Sequence, residues 1–425
     1  MDLDFDVVVI GGGSAGVSAA VTAARSGART LLVERHGFFG GMATASLVHS
    51  ICGLYMIREE SGPVAAHRGF PRELELRLIE SGAASEPVRM GKLDVLPVSP
   101  PRVAYVLDQV TAEVGGLEVL LHTELVSVEN SGNRISEVEL ITRGSKRRVR
   151  ARSWVDASGD AVLAVGAGVS FEKAPTHRLQ RPAFIFSMHS VEVDSLGPDG
   201  RVRLAHQLAR AVSDGEVSPG CMGAQVRPSG WGTEVYVTVD LAGGPDFDPN
   251  NPSQLTDLER VGRGIAFELC DFWRRCHSAF QRAYVGALPA RVGLRESRRV
   301  VGRETVTADA VISGADHGDE VAMGTWPMEL REVHTGPRWR YPVGNRPTRI
   351  PLGALRAIGS ENLWVAGRCI SCDHEAQAAL RVMGTCMATG QAAGLASAMQ
   401  SGGEAEPAAD AIRRLLRNGE RMGGT

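Results

Sequence analysis

Asp6-Val-Val-Val-Ile10 runs directly into Gly11-Gly-Gly-Ser14-Ala15-Gly16 and then into a small-residue stretch ending at Ser26-Gly27. Four apolar residues in succession before a glycine cluster read as a strand buried on both faces, as in a parallel sheet. Gly11, Gly13 and Gly16 make G-x-G-x-x-G at the turn from strand to helix. Gly11 permits the tight turn, Gly13 lets a pyrophosphate approach, and Gly16 lets the helix pack on the strand. The helix opening at Ser14 and Ala15 offers its amides to that diphosphate. A second strand, Thr30-Leu-Leu-Val33, ends on Glu34, where a carboxylate can take both hydroxyls of an adenosine ribose. A glycine loop alone is weak support, since many bind nothing. Strand, glycines, small-residue helix, second strand and acid in one unit point to a bound dinucleotide.

A chain of 425 residues has room for two or three domains. Its 43% hydrophobic and 22% charged content fits a soluble globular protein. A net charge of −3 supplies no basic field for nucleic acid or an anionic membrane. No apolar run reaches the length of a membrane span, and acidic residues follow Met1 where a secretory leader would be basic, so a cytoplasmic location is expected. Seven scattered cysteines do not look like a disulfide framework.

After Glu34 comes Arg35-His36-Gly-Phe-Phe-Gly40-Gly41-Met42-Ala-Thr44, whose glycine pair lets backbone lie flat against something planar; an ordinary flexible loop is the alternative. Leu117 to Val128 and Ile135 to Ile141 alternate like antiparallel strands around a Ser131-Gly132-Asn133 turn. Asp156-Ala157-Ser158-Gly159-Asp160 closes the next strand. Phe184 to Met188 and Glu234 to Val239 read as strands separated by a Gly/Pro-rich stretch at 215–232. Leu258 to Tyr284 reads as one amphipathic helix whose aromatics, Phe267 among them, are expected to pack. In Gly293-Leu-Arg295-Glu296-Ser-Arg298-Arg299-Val-Val-Gly302-Arg303, arginine alternating with apolar residues predicts one or two inward-pointing guanidinium groups. The chain then runs Asn362-Leu-Trp-Val-Ala-Gly367-Arg368-Cys369, passes His374-Glu375, and continues through Arg381-Val382-Met383-Gly384 to Gly394. This strand, glycine, polar loop and small-residue helix repeat the style of the opening unit. A short basic helix is expected from Ala408 to Met422.

With these segments in view, the sequence resembles the FAD-dependent oxidoreductases. Residues 362–394 match that family's closing motif nearly throughout, and 6–48, 153–160 and 293–303 agree as well. The resemblance implies a Rossmann-type, glutathione-reductase-like α/β domain (1–175 with 343–425) and an inserted α+β substrate domain (176–342). It also implies non-covalent FAD instead of NAD. Gly11, Gly13, Ser14, Ala15, Gly16, Glu34 and Arg35 would then hold the ADP half. Val126, Ala157, Ser158 and Gly159 would lie beside adenine and pyrophosphate. Gly40, Gly41 and Met42 would pass along the ribityl and ring, and Gly367 and Arg368 would border the ribityl. The helix opening at Val382, Met383 and Gly384 would aim its positive end at the flavin. A more distant likeness to fumarate reductase and succinate dehydrogenase flavoprotein subunits puts His374, Arg381 and Arg295 at substrate-side positions. There Glu375 and Leu294 depart from the pattern.

On this reading His374 removes a heteroatom proton with Glu375 orienting it, unless Glu375 merely caps the following helix, while Arg381 and Arg295 orient substrate. His49 is a further substrate-side candidate, with a core or loop histidine as the plainer reading. Cys369-x-x-Cys372 could be a dithiol or, with His374 and Cys386, a zinc set; neither is expected, and no metal is expected. The expected activity is hydride removal from a small polar metabolite, with electrons passed to oxygen, a quinone or a carrier protein. A flavoprotein that modifies a macromolecule such as tRNA, or that holds flavin for structure, is the alternative.

Overall fold

The computed structural model describes residues 3–60, 62–197, 199–316, 318–333 and 336–418. Its largest sheet has seven strands. Leu3–Ile10 lies between Thr30–Val33 and Ser145–Asp156, parallel to both, and Thr30–Val33 pairs in parallel with Leu117–Leu120. Val7, Val8 and Val9 are fully buried, which is why the opening run carries no alternation. Ser145–Asp156 serves two neighbours along one edge. Residues 145–150 pair antiparallel with Arg134–Thr142, and residues 154–156 pair in parallel with Leu363–Val365. The returning chain thereby re-enters the sheet beside Asp156. The fold is mixed α/β around a parallel, Rossmann-type sheet.

Two helices of small residues lock the opening unit to the closing one. Helix Ser14–Arg25 packs on Met383–Ser401 so closely that a Cβ on Gly390 or Gly394 would stand 2.1 or 2.2 Å from the carbonyl oxygen of Ala15 or Ala19. The Ser18 hydroxyl crosses the same seam to the Met387 carbonyl at 2.7 Å. Backbone contact of this kind explains why both helices are rich in Gly and Ala.

The stretch 117–128 departs from the sequence reading. It is two strands, Leu117–Leu120 and Glu124–Ser131, separated by His122 at φ 53°, and the first is parallel to its neighbour. A half-exposed edge strand of a parallel sheet alternates just as an antiparallel one does, so the pattern alone misleads. The hairpin from 124 to 142 is antiparallel, turning at Gly132-Asn133.

A second sheet has four antiparallel strands in the order Gln225–Pro228, Val235–Asp240, Ala183–His189, Tyr284–Ala287. Its two faces differ in chemistry. Phe184, Phe186, Met188, Val226, Val235, Val237 and Val239 point into a separate apolar core with helix Pro252–Cys276. By the pairing register, Ala183, Ile185, Ser187, Gln225, Arg227, Tyr236, Thr238 and Asp240 share the other face. The helix starts six residues earlier than the periodicity implied, because the Asn251 side chain accepts from the Ser253 and Gln254 amides ahead of the apolar stripe. It stops at Cys276, and Tyr284 belongs to a strand. Phe267 is 54% exposed, against the packing expected of it.

This second core draws on residues 184–294, whereas Val300, Val306, Val311, Val321 and Met328 lie in the larger core. The chain is thus back in the first core well before residue 343. No described helix is long and apolar enough to cross a membrane. The last described helix is Ala409–Asn418, and residues 419–422 of the expected tail helix lie outside the described residues.

Candidate active site

A cavity opens where the first strand meets the glycine loop. Gly11, at φ 104°, is confined by the Ala157 carbonyl, which a Cβ would meet at 2.6 Å. Gly16 is closed tighter still, since its Cβ would fall 1.7 Å from the Gly11 oxygen; it shapes the loop and does not line the cavity. Gly13 is different. A Cβ there would meet nothing nearer than Gly41 Cα at 3.8 Å, so its bareness faces the cavity. Helix Ser14–Arg25 begins without a side-chain cap, leaving its first amides open toward the same space. An uncapped helix start behind a bare glycine fits a diphosphate.

Glu34 stands at one end, 6% exposed. Its two carboxylate oxygens accept from the Gly12 amide at 2.7 Å and the His36 amide at 2.8 Å. The carboxylate is fixed by backbone and keeps lone pairs for further donors. Gly40 bonds its amide to the Gly12 carbonyl at 2.9 Å and is filled on its Cβ side by Thr44; it positions Gly41 and Met42, which line the cavity.

Ala157, Ser158, Gly159 and Asp160 form the wall opposite, with Gly367 and Arg368. Asp156 holds this turn internally, accepting from the Ser158 hydroxyl at 2.6 Å and the Ala164 amide at 2.9 Å. Asp160 takes Arg368 at 2.6 Å and the Ser297 hydroxyl at 2.8 Å. Burial alone would raise its carboxyl, but Arg368, Arg291, Ser297 and Arg35 bring it down to about 2. Arg35 lies 3.9 Å from the same carboxylate. Arg291, which the sequence reading missed, lines the cavity with a buried Nε that has no partner. Burial, and then Arg35, push it down to about 10. Its only sequence signal is its position just ahead of the arginine-rich 293–303 segment.

Besides Gly16 and Gly40, three more expected cofactor residues do not reach the cavity. Val126 is 47% exposed while its neighbour Leu125 lines the wall, the consequence of strand alternation. Val382 packs with Ile57, Leu93, Val95 and Trp326. Gly384 gives its amide to the Cys52 carbonyl at 2.9 Å, and a Cβ would strike the Gly53 oxygen at 2.2 Å. Of the helix opening, Met383 lines the cavity, with Cys386 one turn on.

The expected catalytic residues separate. His374 is held between two carboxylates, Nδ1 to Glu296 at 2.9 Å and Nε2 to Glu332 at 2.8 Å. Burial disfavours its charge, but those two acids outweigh it and raise its pKa. With both ring nitrogens committed to carboxylates and the residue outside the cavity lining, His374 has no free lone pair facing a substrate proton, so the base assignment is corrected. Glu375 does not orient it; it pairs with Arg178 at 3.0 Å and Arg340 at 2.5 Å. Arg295 is buried away from the cavity, bonded to the Arg181 carbonyl and to Asp240 at 2.7 Å. Arg381 alone lines it, and its buried Nε has no partner. Burial pushes its guanidinium down to about 10 against the pull of Glu329.

Met42, which lines the cavity, also stands beside the polar face of the second sheet. The Met42 methyl stands 3.0 Å from where a Gly293 Cβ would be, and Gly293 pairs with Ala183 of that face. Leu47 and Val48 pack on Ala183, Ile185 and Tyr236. His49 stacks on Tyr236, centroids 4.4 Å apart and planes within 9°. Burial, with Arg227 nearby, lowers its pKa to about 4, so it is neutral near pH 7. Its Nδ1 lies 3.3 Å from the Leu47 carbonyl, an acceptor, which makes Nδ1 the protonated nitrogen; Nε2 is buried without a partner. Sequence gave no sign of Arg227, because 215–232 read as a Gly/Pro-rich connection.

Cys369 and Cys372 are free, buried thiols bonded to separate carbonyls, and burial raises both pKa values. Among the described residues no group of His, Cys, Asp or Glu could hold a metal ion.

The chain matches the FAD-dependent oxidoreductase family over residues 6–417. Some solved structures are similar at low identity. BexE, studied for oxidation during BE-7585A biosynthesis, is 16% identical with a TM-score of 0.50, covering 99% of this chain and 67% of its own. A geranylgeranyl bacteriochlorophyll reductase-like protein from Thermoplasma acidophilum is 15% identical with a TM-score of 0.46, covering 99% and 83%. The flavin-dependent monooxygenase PieE, solved with FAD and substrate, is 18% identical with a TM-score of 0.39, covering 71% and 52%. With the bare Gly13, the uncapped helix and Glu34 arranged as a dinucleotide cradle, the chain belongs to the FAD-dependent oxidoreductase family, and its cofactor is FAD.

Proposed function

We propose that this flavoenzyme removes a hydride from a C–H bond of a small polar metabolite seated between the inner end of the cavity and the polar face of the four-stranded sheet. Bound FAD supplies the hydride acceptor. His49 accepts the accompanying heteroatom proton at Nε2, and Arg381 orients the substrate. Met42, Met383 and Cys386 line the cavity near the reacting centre and exclude water. The stretch from about 176 to 298 acts as the substrate domain on this reading. The observation that carries it is the neutral, buried His49 with an unpartnered Nε2, stacked on that face. FAD is held without a covalent link on this reading, since His36, whose amide goes to Glu34, does not line the cavity. Electrons leave to oxygen, a quinone or a carrier protein.

The test is anaerobic rapid mixing of the FAD-loaded protein with a panel of small alcohols, amines and hydroxy acids, following loss of the yellow flavin band. At least one compound should bleach it. His49→Phe keeps the stacking ring, and should retain FAD but slow reduction by about 10²–10⁴-fold. Reduction at the wild-type rate in that variant, or a panel without any reductant, would count against the reading.

A further inference from the structure

We propose that the substrate carries an oxyanion, a carboxylate or phosphate group, bound between Arg227 and Arg381 beside Cys52. This rests on the functional reading above and names the substrate class of that site. Four guanidinium groups, those of Arg227, Arg295, Arg331 and Arg381, gather here around two carboxylates, Asp240 and Glu329, and the carboxylates are unevenly shared. Asp240 takes Arg295 at 2.7 Å and Arg331 at 2.9 Å. Glu329 takes Arg331 at 2.7 Å and the Trp326 indole at 3.1 Å. Arg381 is left with the Glu329 carbonyl at 3.3 Å and its carboxylate at 3.9 Å, and its buried Nε bonds nothing. Arg227 has no carboxylate within ion-pair distance among the described residues; its hydrogen bonds go to the Met90 sulfur at 3.8 Å and the Gln225 amide oxygen at 3.2 Å, and Glu329 acts on it only from farther off.

The two under-neutralised groups flank one spot. Cys52 and Met90 pack on the small apolar cluster that contains Val382 and Trp326. Arg227 touches Met90, while Arg381 immediately precedes Val382 in the chain. Across the strand pair Arg227 faces Tyr236, on which His49 is stacked, so the proton acceptor adjoins the cation. A half-buried guanidinium with no close carboxylate is unfavourable, and burial lowers the pKa of both groups. An oxyanion, which a guanidinium fork binds bidentately, restores the balance. The Cys52 thiol, pushed up to about 12 chiefly by burial, stays neutral and does not compete.

The test uses the FAD-loaded, oxidised protein. Acetate, benzoate, succinate and inorganic phosphate are titrated at constant ionic strength, with acetamide and benzamide as neutral counterparts, reading the flavin absorption band. At least one oxyanion should perturb the band saturably and the amides should not. Affinity should fall about 10- to 100-fold in Arg227→Met and in Arg381→Met, and recover in part in Arg227→Lys. A response to carboxylates alone identifies a carboxylate substrate, and one to phosphate alone a phosphate; either supports the proposal. Equal response to the amides, no response to any oxyanion, or unchanged affinity in both methionine variants overturns it. The two readings fail separately. Oxyanion binding in a protein that no metabolite reduces keeps this site and removes the proposed reaction. Flavin reduction by a neutral metabolite, indifferent to oxyanions, does the reverse.

Discussion

Glu34 carries two loads, since the same carboxylate that faces the cavity also accepts the Gly12 and His36 amides. Glu34→Ala should therefore weaken FAD binding by at least the worth of charge-assisted hydrogen bonds, about 1.5–3 kcal/mol, measured by titrating stripped protein with FAD. His374 gives a prediction in the pH dependence of stability. Its folded pKa is raised above the unfolded value of about 6.5. Its contribution is thus fully present below about pH 6.5 and is lost as pH rises through the folded pKa. Wild-type protein should lose melting temperature on that alkaline side, and His374→Gln should lose less there while its loaded flavin is reduced at near the wild-type rate. An identical pH profile in the two proteins would remove the ion-pair account. The contrast between these residues explains what the sequence discloses. Glu34 sits at the end of its own strand, so its role is local. The partners of His374 lie 78 and 42 residues away, and no local pattern announces them.

At the scale of elements, the seam between helices Ser14–Arg25 and Met383–Ser401 is backbone against backbone. Gly394→Val forces that seam apart and should cost at least the usual overpacking range of about 1–3 kcal/mol in urea unfolding. Helix Pro252–Cys276 offers a paired test of which face is buried. Phe272→Ala, 3% exposed in the native protein, should cost about 3–5 kcal/mol, and Phe267→Ser should stay within about 0.5 kcal/mol. Equal losses would contradict the helix orientation. The buried strands at 6–10 and 30–33 and the closing small-residue helix were legible because their composition is imposed by burial on all sides. The parallel pairing of the strand at 117–120 was not, because its partner is chosen by topology while its alternation is common to both sheet types. Helix 252–276 was misplaced at its start because its first turn is set by the Asn251 cap, outside the apolar stripe.

At the scale of the molecule, the site is assembled from distant parts of the chain. The first forty residues, the 157–160 turn, Arg291 and the 367–386 return line one cavity. The sequence showed the cofactor end because a strand, a glycine loop and an acid form a contiguous signature. It showed little of the proposed substrate end, where Arg227, Tyr236 and His49 come together only through sheet register and packing. A cavity shared this widely couples cofactor to fold. Stripping FAD should lower the melting temperature, and adding it back at a hundred times its Kd should restore about 2.7 kcal/mol. The most direct measurement is the fate of the colour of the purified protein on acid precipitation. The account predicts a yellow protein that releases all its flavin to the supernatant as FAD. Colour left in the pellet would contradict the non-covalent cradle, and a colourless protein that takes up NAD in its place would contradict the cavity's assignment.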